Sequence, residues 1–112
     1  MKIENVLITG VSGFIGSNLL DYLLENTEWF ITGIDNLSTG RKSNIEHQLS
    51  NNRFEFKEDS LFNIESLKPY QCIFHLAALP RIQPSFELVN AHIREHLMSS
   101  TFLVETMIEE DW

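Results

Sequence analysis

The sequence predicts an α/β fold: a parallel sheet ordered 3-2-1-4, with helices on both faces. Three observations predict it. The apolar run Val6-Leu-Ile-Thr9 leads through a turn carrying Gly10, Gly13 and Gly16 straight into a helical pattern. Strand and helix patterns then alternate to the end of the chain, and alternation of this kind builds parallel sheets, because each helix returns the chain across one face. Finally, the second strand run ends on an acidic residue, Asp35. Right-handed crossovers place the second and third strands to one side of the first and the fourth to the other. The winding reverses between the first and fourth strands, and a ligand crevice is expected there, at their carboxyl ends.

Residues 4 to 9 read as the first strand and 13 to 26 as the first helix, with Ile15, Leu19, Leu20, Leu23 and Leu24 forming one apolar stripe toward the sheet. Trp29-Phe-Ile-Thr-Gly-Ile34 is the near-continuous apolar run of a strand buried on both faces. The polar segment Asn36-Leu-Ser-Thr-Gly-Arg41 follows as a loop. Ser43 is then placed to N-cap a short helix with Ile45 and Leu49 inward, ended by Asn51-Asn52. Residues 53 to 58 alternate apolar and charged, as an edge strand with one solvated face does, and Asp59-Ser60 closes that strand. A short helical stretch from Leu61 to Leu67 leads to Pro69, and residues 72 to 77 form the fourth strand. Leu79 to Pro84, with two prolines, is a loop. From Ser85 to Glu110 the chain reads as helix, with Phe86, Val89, Ile93, Leu97, Val104 and Ile108 inward and a break near Asn90.

The glycine turn carries the chemistry. A turn without side chains lets the backbone approach a pyrophosphate, and a helix start offers free N–H groups and the positive end of its dipole. Gly10 would make the tight turn, Gly13 would leave room for phosphates, and Gly16 would let helix and strand pack closely. Taken alone, a glycine triplet also suits an empty strand-to-helix turn. Asp35 adds context, because an acidic residue about 20 residues past the turn is placed to bind the adenosine ribose hydroxyls. Its charge repels a 2′-phosphate and so favours NAD over NADP. Arg41 is the nearby cation that would favour the phosphate, or else a solvated loop residue.

With 112 residues the chain is expected to be one domain, 1–112, and its 43% hydrophobic and 21% charged composition is that of an ordinary globular protein. A net charge of −8 argues against nucleic acid and against an anionic membrane surface as partners. No apolar run reaches the length of a membrane span, and the first residues lack the apolar core of a signal peptide, so a cytoplasmic location is expected. Cys72, in the apolar run Cys-Ile-Phe-His-Leu-Ala, reads as a buried inert thiol.

Five blocks fall in order along the chain: Thr9-Gly-Val-Ser-Gly-Phe-Ile-Gly16, Asp35-Asn-Leu-Ser-Thr-Gly-Arg41, Asp59-Ser60, His75-Leu-Ala-Ala78 and Pro80-Arg-Ile-Gln-Pro-Ser85. Together they resemble the extended short-chain dehydrogenase/reductase family, and within it the NAD-dependent nucleotide-sugar epimerases and dehydratases, whose leading part is a Rossmann-type NAD-binding domain. The resemblance implies that Gly10, Gly13, Phe14, Ile15 and Gly16 hold the pyrophosphate, and that Asp35, Asn36, Ser38, Thr39 and Gly40 line the adenosine ribose pocket. It implies that Asp59 and Ser60 face the adenine, and that Leu76, Ala77 and Ala78 pass beneath the dinucleotide. His96 stands where the family often has asparagine. The family's catalytic tyrosine is followed four residues later by a lysine that lowers its pKa, whereas here Tyr22 is followed by Asn26 and Tyr70 by Phe74. The expectation is therefore a chain truncated before the fifth strand, lacking the substrate domain and any catalytic residue of its own. An uncovered fourth strand or final helix would then favour a homo-oligomer.

Two other readings stand beside this one. His92-Ile-Arg-Glu-His96 fits H-x-x-E-H, a zinc-peptidase signature, although such a site needs a third ligand and a polar helix face reads the same way. Alternatively, the chain is a non-catalytic dinucleotide-binding or assembly module. His47 reads as a solvated helix position, and His75 as packing in the crevice.

Overall fold

The computed structural model of the chain describes residues 2–38, 40–77 and 99–110. Strands β1 (Asn5–Thr9), β2 (Phe30–Asp35), β3 (Phe54–Glu58) and β4 (Cys72–His75) form one sheet in the order β3-β2-β1-β4. Every pairing is parallel, with Thr9 opposite both Ile34 and His75, and Asp35 opposite Glu58. This is the order expected from right-handed crossovers. Helix α1 spans Phe14–Asn26 and α2 spans Ser99–Glu109.

Side chains alternate across a strand, so β1 feeds two cores. Val6 and Ile8 pack with Leu20, Leu23 and Leu24 of α1 and with Val11, Ile31, Ile45 and Phe54. Leu7 points the other way and packs with Ile34, Leu61, Leu67 and Leu103. The sheet is thus covered by α1 on one face and by α2 with the segment before β4 on the other. At β3 the alternation appears as expected, with Phe54 buried and Glu55 and Lys57 exposed on an edge strand. Arg53, just ahead of β3, holds the end of α1: its guanidinium donates to the carbonyls of Leu24 (2.6 Å), Thr27 (2.8 Å) and Trp29 (3.3 Å). A cation there also faces the negative end of the helix dipole.

Several elements differ from the sequence expectation. In α1, Gly16 and Ser17 take the inward positions of the first turn, which turns Ile15 outward to 67% exposure. Instead of a short helix capped by Ser43 there are two 3₁₀ turns, Lys42–Asn44 and Glu46–Gln48, with Ser43 inside the first. Ile45 between them is fully buried, but Leu49 is 40% exposed. The stretch from Leu61 to Leu67 is helical only as a single 3₁₀ turn, Leu61–Asn63, because Ile64 returns to extended backbone. Strand β4 ends at His75 and not at residue 77: the Leu76 amide is shared between Thr9 O and Oγ1, and the Ala77 amide turns to Thr9 Oγ1. Cys72 is a half-buried free thiol beside the first core, where a fully buried one was expected. His47 lies on a 3₁₀ turn and is exposed, yet its Nε2 is 2.7 Å from Asp21 Oδ1.

The final helix shows the largest departure. Val104 and Ile108, expected inward, are exposed, Ile108 to 74%. Leu103 is buried in their place, flanked by Phe102 and Met107. Phe102 meets Phe62 edge-on at 5.4 Å between ring centroids. The helix end is tied down by Glu110, whose carboxylate accepts from Leu67 N (2.7 Å) and from the Ser66 hydroxyl. These two donors, the Leu67 amide first, hold the Glu110 carboxyl below its usual range. The expected helical residues 85 to 98, with Phe86, Val89, Ile93 and Leu97, and the loop from Leu79 to Pro84 lie outside the described residues.

Candidate functional site

Parallel strands bring their carboxyl ends to one edge of the sheet, and β1, β2 and β4 end there on Thr9, Asp35 and His75. The chain leaves β1 through Gly10 at φ +70°, a left-handed conformation that favours glycine. A Cβ on Gly10 would also lie 2.7 Å from Leu76 O and 2.8 Å from Ala77 N, so the backbone after β4 runs directly against this turn. Gly16 is needed for close packing, since its Cβ would come within 2.9 Å of Val11 Cα. Gly13 is different. The nearest atom to its Cβ position is Gly10 O at 3.4 Å, so packing within the protein does not require a glycine there. Gly13 is also the N-cap of α1, and no side chain caps the helix. An uncapped helix start leaves backbone N–H groups without partners. Beside an open glycine surface, those groups can take an anion. Phe14, next in line, is 82% exposed.

Asp35 faces this turn from β2. Its Oδ2 accepts from Ser12 N (3.0 Å) and Ser12 Oγ (2.5 Å), and its Oδ1 accepts from Leu37 N (2.8 Å). Leu37 has φ +62°, an uncommon conformation for a side chain branched beyond Cβ. Asn36 Oδ1 accepts from Ser38 N at 3.0 Å, so both residues of the Asp-Asn pair turn their side chains onto the following backbone. The loop then folds over Ser12, whose carbonyl accepts from Arg41 N (3.1 Å) and Asn44 Nδ2 (2.9 Å). Gly40 belongs to the same contact, because a Cβ there would lie 2.9 Å from the Ser12 carbonyl carbon. The Arg41 side chain is exposed.

Asp59 follows β3, with its amide donating to Asp35 O at 3.1 Å. Its carboxylate accepts from Asn63 Nδ2 (2.8 Å) and Ser60 N (2.7 Å), and these bonds, Asn63 first, hold it below the usual carboxylate range. Ser60 Oγ accepts from Phe62 N and so caps the 3₁₀ turn at Leu61–Asn63. At the end of β4, Thr9 Oγ1 accepts from Leu76 N (2.9 Å) and Ala77 N (3.1 Å) and lies 2.6 Å from His75 Nδ1. The Thr9 hydroxyl thus ties the ring at the end of β4 to the backbone that follows it. His75 stands half-buried at the carboxyl end of β4, bonded to Thr9.

The NAD dependent epimerase/dehydratase family matches residues 6–111. The chain belongs to this family. Its curated relatives include UDP-glucose 4-epimerase of Mycolicibacterium smegmatis, 36% identical in an alignment 87 residues long that covers 72% of this chain and 27% of the relative. UDP-glucuronic acid decarboxylase 1 of Danio rerio is 37% identical over 74% of this chain and 19% of its own length. Among solved structures, the UDP-N-acetylglucosamine 4-epimerase of Methanobrevibacter ruminantium superposes with a TM-score of 0.83 at 28% identity, covering 99% of this chain and 36% of that one. The UDP-glucuronic acid 4-epimerase of Bacillus cereus, in complex with UDP-glucuronic acid and NAD, gives 0.84 at 29% identity, covering 92% of this chain and 36% of that one. The chain therefore spans about a third or less of the length of these relatives, and the fold it shares with them is the Rossmann-like sheet.

Of the residues singled out from the sequence, the fold gathers Gly10, Gly13, Phe14, Ile15, Gly16, Asp35, Asn36, Ser38, Gly40, Asp59, Ser60, Leu76 and Ala77 along the carboxyl edge of the sheet and the loops that leave it. Thr39, Ala78, His92 and His96 lie outside the described residues. Among the described residues no group of three or more His, Cys, Asp or Glu is placed to hold a metal ion. Nor is any helix among them long and apolar enough to cross a membrane. Sequence reasoning missed Ser12 and Asn44, which carry the bonds between turn and loop. The available signal for Ser12 was a small polar residue inside the glycine turn, where a hydroxyl could only reach a neighbouring strand end.

Proposed function

We propose that residues 1–112 form the NAD-binding part of an NAD-dependent nucleotide-sugar epimerase or dehydratase of the UDP-glucose 4-epimerase type. The observation that carries this reading is the uncapped α1 start beside the open surface at Gly13, with the Asp35 carboxylate fixed across from it. In this reading Gly10, Gly13, Phe14, Ile15 and Gly16 hold the pyrophosphate by backbone N–H groups. Asp35, Asn36, Ser38, Thr39 and Gly40 take the adenosine ribose, Asp59 and Ser60 face the adenine, and Leu76, Ala77 and Ala78 support the dinucleotide from below. Bound NAD supplies the hydride acceptor for oxidation of a sugar hydroxyl. The residues of this chain bind and orient it. The Asp35 charge selects a free ribose diol over a 2′-phosphate, and exposed Arg41 remains at the loop surface.

The 112-residue chain carries no tyrosine with a lysine four residues on, so in this reading it does not turn over a nucleotide sugar by itself. That same observation favours a second reading, a dinucleotide-binding module that acts through assembly with another chain. The exposed Val104 and Ile108 on α2 support a homo-oligomer in either case. Calorimetric titration of the purified chain with NAD tests the cofactor site. Saturable binding that disappears in Asp35→Ala is the expected result, and a folded chain that takes up no NAD would refute the reading. Light scattering at micromolar concentration tests the assembly, for which a monomer is the contrary result.

A further inference from the structure

Ser12 is fully buried, and each of its polar groups is spent on the segment that leaves β2. Its amide and hydroxyl both donate to Asp35 Oδ2, at 3.0 and 2.5 Å, while its carbonyl takes Arg41 N at 3.1 Å and Asn44 Nδ2 at 2.9 Å. Leu37 N holds the other carboxylate oxygen, Oδ1, at 2.8 Å. A carboxylate oxygen has two lone-pair sites. Oδ2 is therefore saturated by Ser12, and the acceptor left in this arrangement is the second site on Oδ1. The carboxylate cannot rotate without breaking a charge-assisted bond at either end.

From this we infer that Ser12 is a positioning residue for dinucleotide selectivity. Resting on the NAD reading of the site, the inference is that the Ser12 hydroxyl aims the free site of Asp35 Oδ1 at one hydroxyl of the adenosine ribose and keeps the negative charge where a 2′-phosphate would sit. An unpinned aspartate could swing away from a phosphate and so relieve the repulsion. A pinned one cannot. Ser12 also lies between Val11 and Gly13, so the same residue ties the phosphate turn to the ribose loop.

The test is the ratio of the NADP and NAD dissociation constants, measured by titration on the full chain for the wild type, Ser12→Ala and Ser12→Cys, which replaces the hydroxyl by a weakly donating thiol. Losing one hydrogen bond to a charged group is expected to lower that ratio about tenfold, through weaker NAD binding with NADP little changed or improved. In an Asp35→Asn background, the further Ser12→Ala change should leave the ratio where it is, because the two residues act through one bond. An unchanged ratio, or proportional loss of both dinucleotides, would overturn the inference and leave Ser12 with a merely structural role. Should Ser12→Ala fail to give a cooperative melt, Ser12→Cys carries the comparison. A wild type that binds NAD, together with variants whose preference is unaltered, defeats this inference alone, whereas a folded wild type that binds neither dinucleotide defeats the NAD reading and this inference with it.

Discussion

On one face of the sheet, nine buried residues among those described pack as one core beneath α1; on the other, five do so beneath α2. The two faces also differ in how their helices are attached. The start of α1 follows directly from β1, and its end is gripped by the Arg53 guanidinium on three carbonyls. α2 is held through Leu103, the Phe62–Phe102 ring contact and the Glu110 carboxylate on the segment before β4. The first face thus starts from a strand, a turn and a helix that adjoin in sequence and is completed by Ile31, Ile45, Phe54 and Arg53, whereas the described part of the second joins α2 to residues about 40 positions earlier. The glycine turn and Asp35 sit where the first face meets the carboxyl edge. That places the carboxylate and the helix start on elements that pack against each other within a single core.

Cavity substitutions on the two faces separate them most. Leu20→Ala, at a fully buried position of the first core, should cost about 3 kcal/mol, and Leu103→Ala about 2 kcal/mol because α2 can settle into the gap. Urea unfolding followed by circular dichroism reads both. Equal losses would mean that the faces contribute alike. Next in size is Thr9→Val, which keeps the shape of the side chain but leaves the Ala77 amide without its acceptor and removes the bond to His75. A loss of about 2 kcal/mol is expected from that unsatisfied group. If Thr9→Val is neutral, β4 is joined to β1 by the ladder alone.

Arg53→Lys tests the grip on α1 more gently. A lysine ammonium cannot reproduce the planar fork that reaches several carbonyls, and a loss of about 1 kcal/mol in thermal unfolding is expected. The smallest effect is predicted for Glu110. Its folded pKa lies below the ordinary value of 4.5, so folding favours the ionised form. The resulting stability is present in full above that value and is lost as pH falls through the lowered one. Melting temperatures of the wild type and Glu110→Gln should therefore differ near neutrality and converge in acid. A constant offset across the range would show that Glu110 acts by packing and not by charge.

The extent of what the sequence revealed follows the same division. The four strands, their order, the glycine turn and Asp35 were all legible, because a strand buried on both faces and a glycine-rich turn carry local patterns that no partner needs to complete. Helix α1 was legible for the same reason, apart from Ile15. The facing of α2 was not. Phe102, Leu103, Val104, Met107 and Ile108 offer apolar residues on more than one side, and the choice of Leu103 over Val104 and Ile108 was made by Leu61, Phe62, Leu67 and the Glu110 anchor. The short helices expected after Ser43 and from Leu61 became 3₁₀ turns, since helices of that length gain too little from their own hydrogen bonds to override the path that Ile45 and Leu67 take into the cores. The Ser12–Asp35 bond likewise joins the glycine turn to the end of β2, and only the closed sheet brings them together. Local pattern determined the elements and their order; distant packing decided which faces turn inward and which side chains meet.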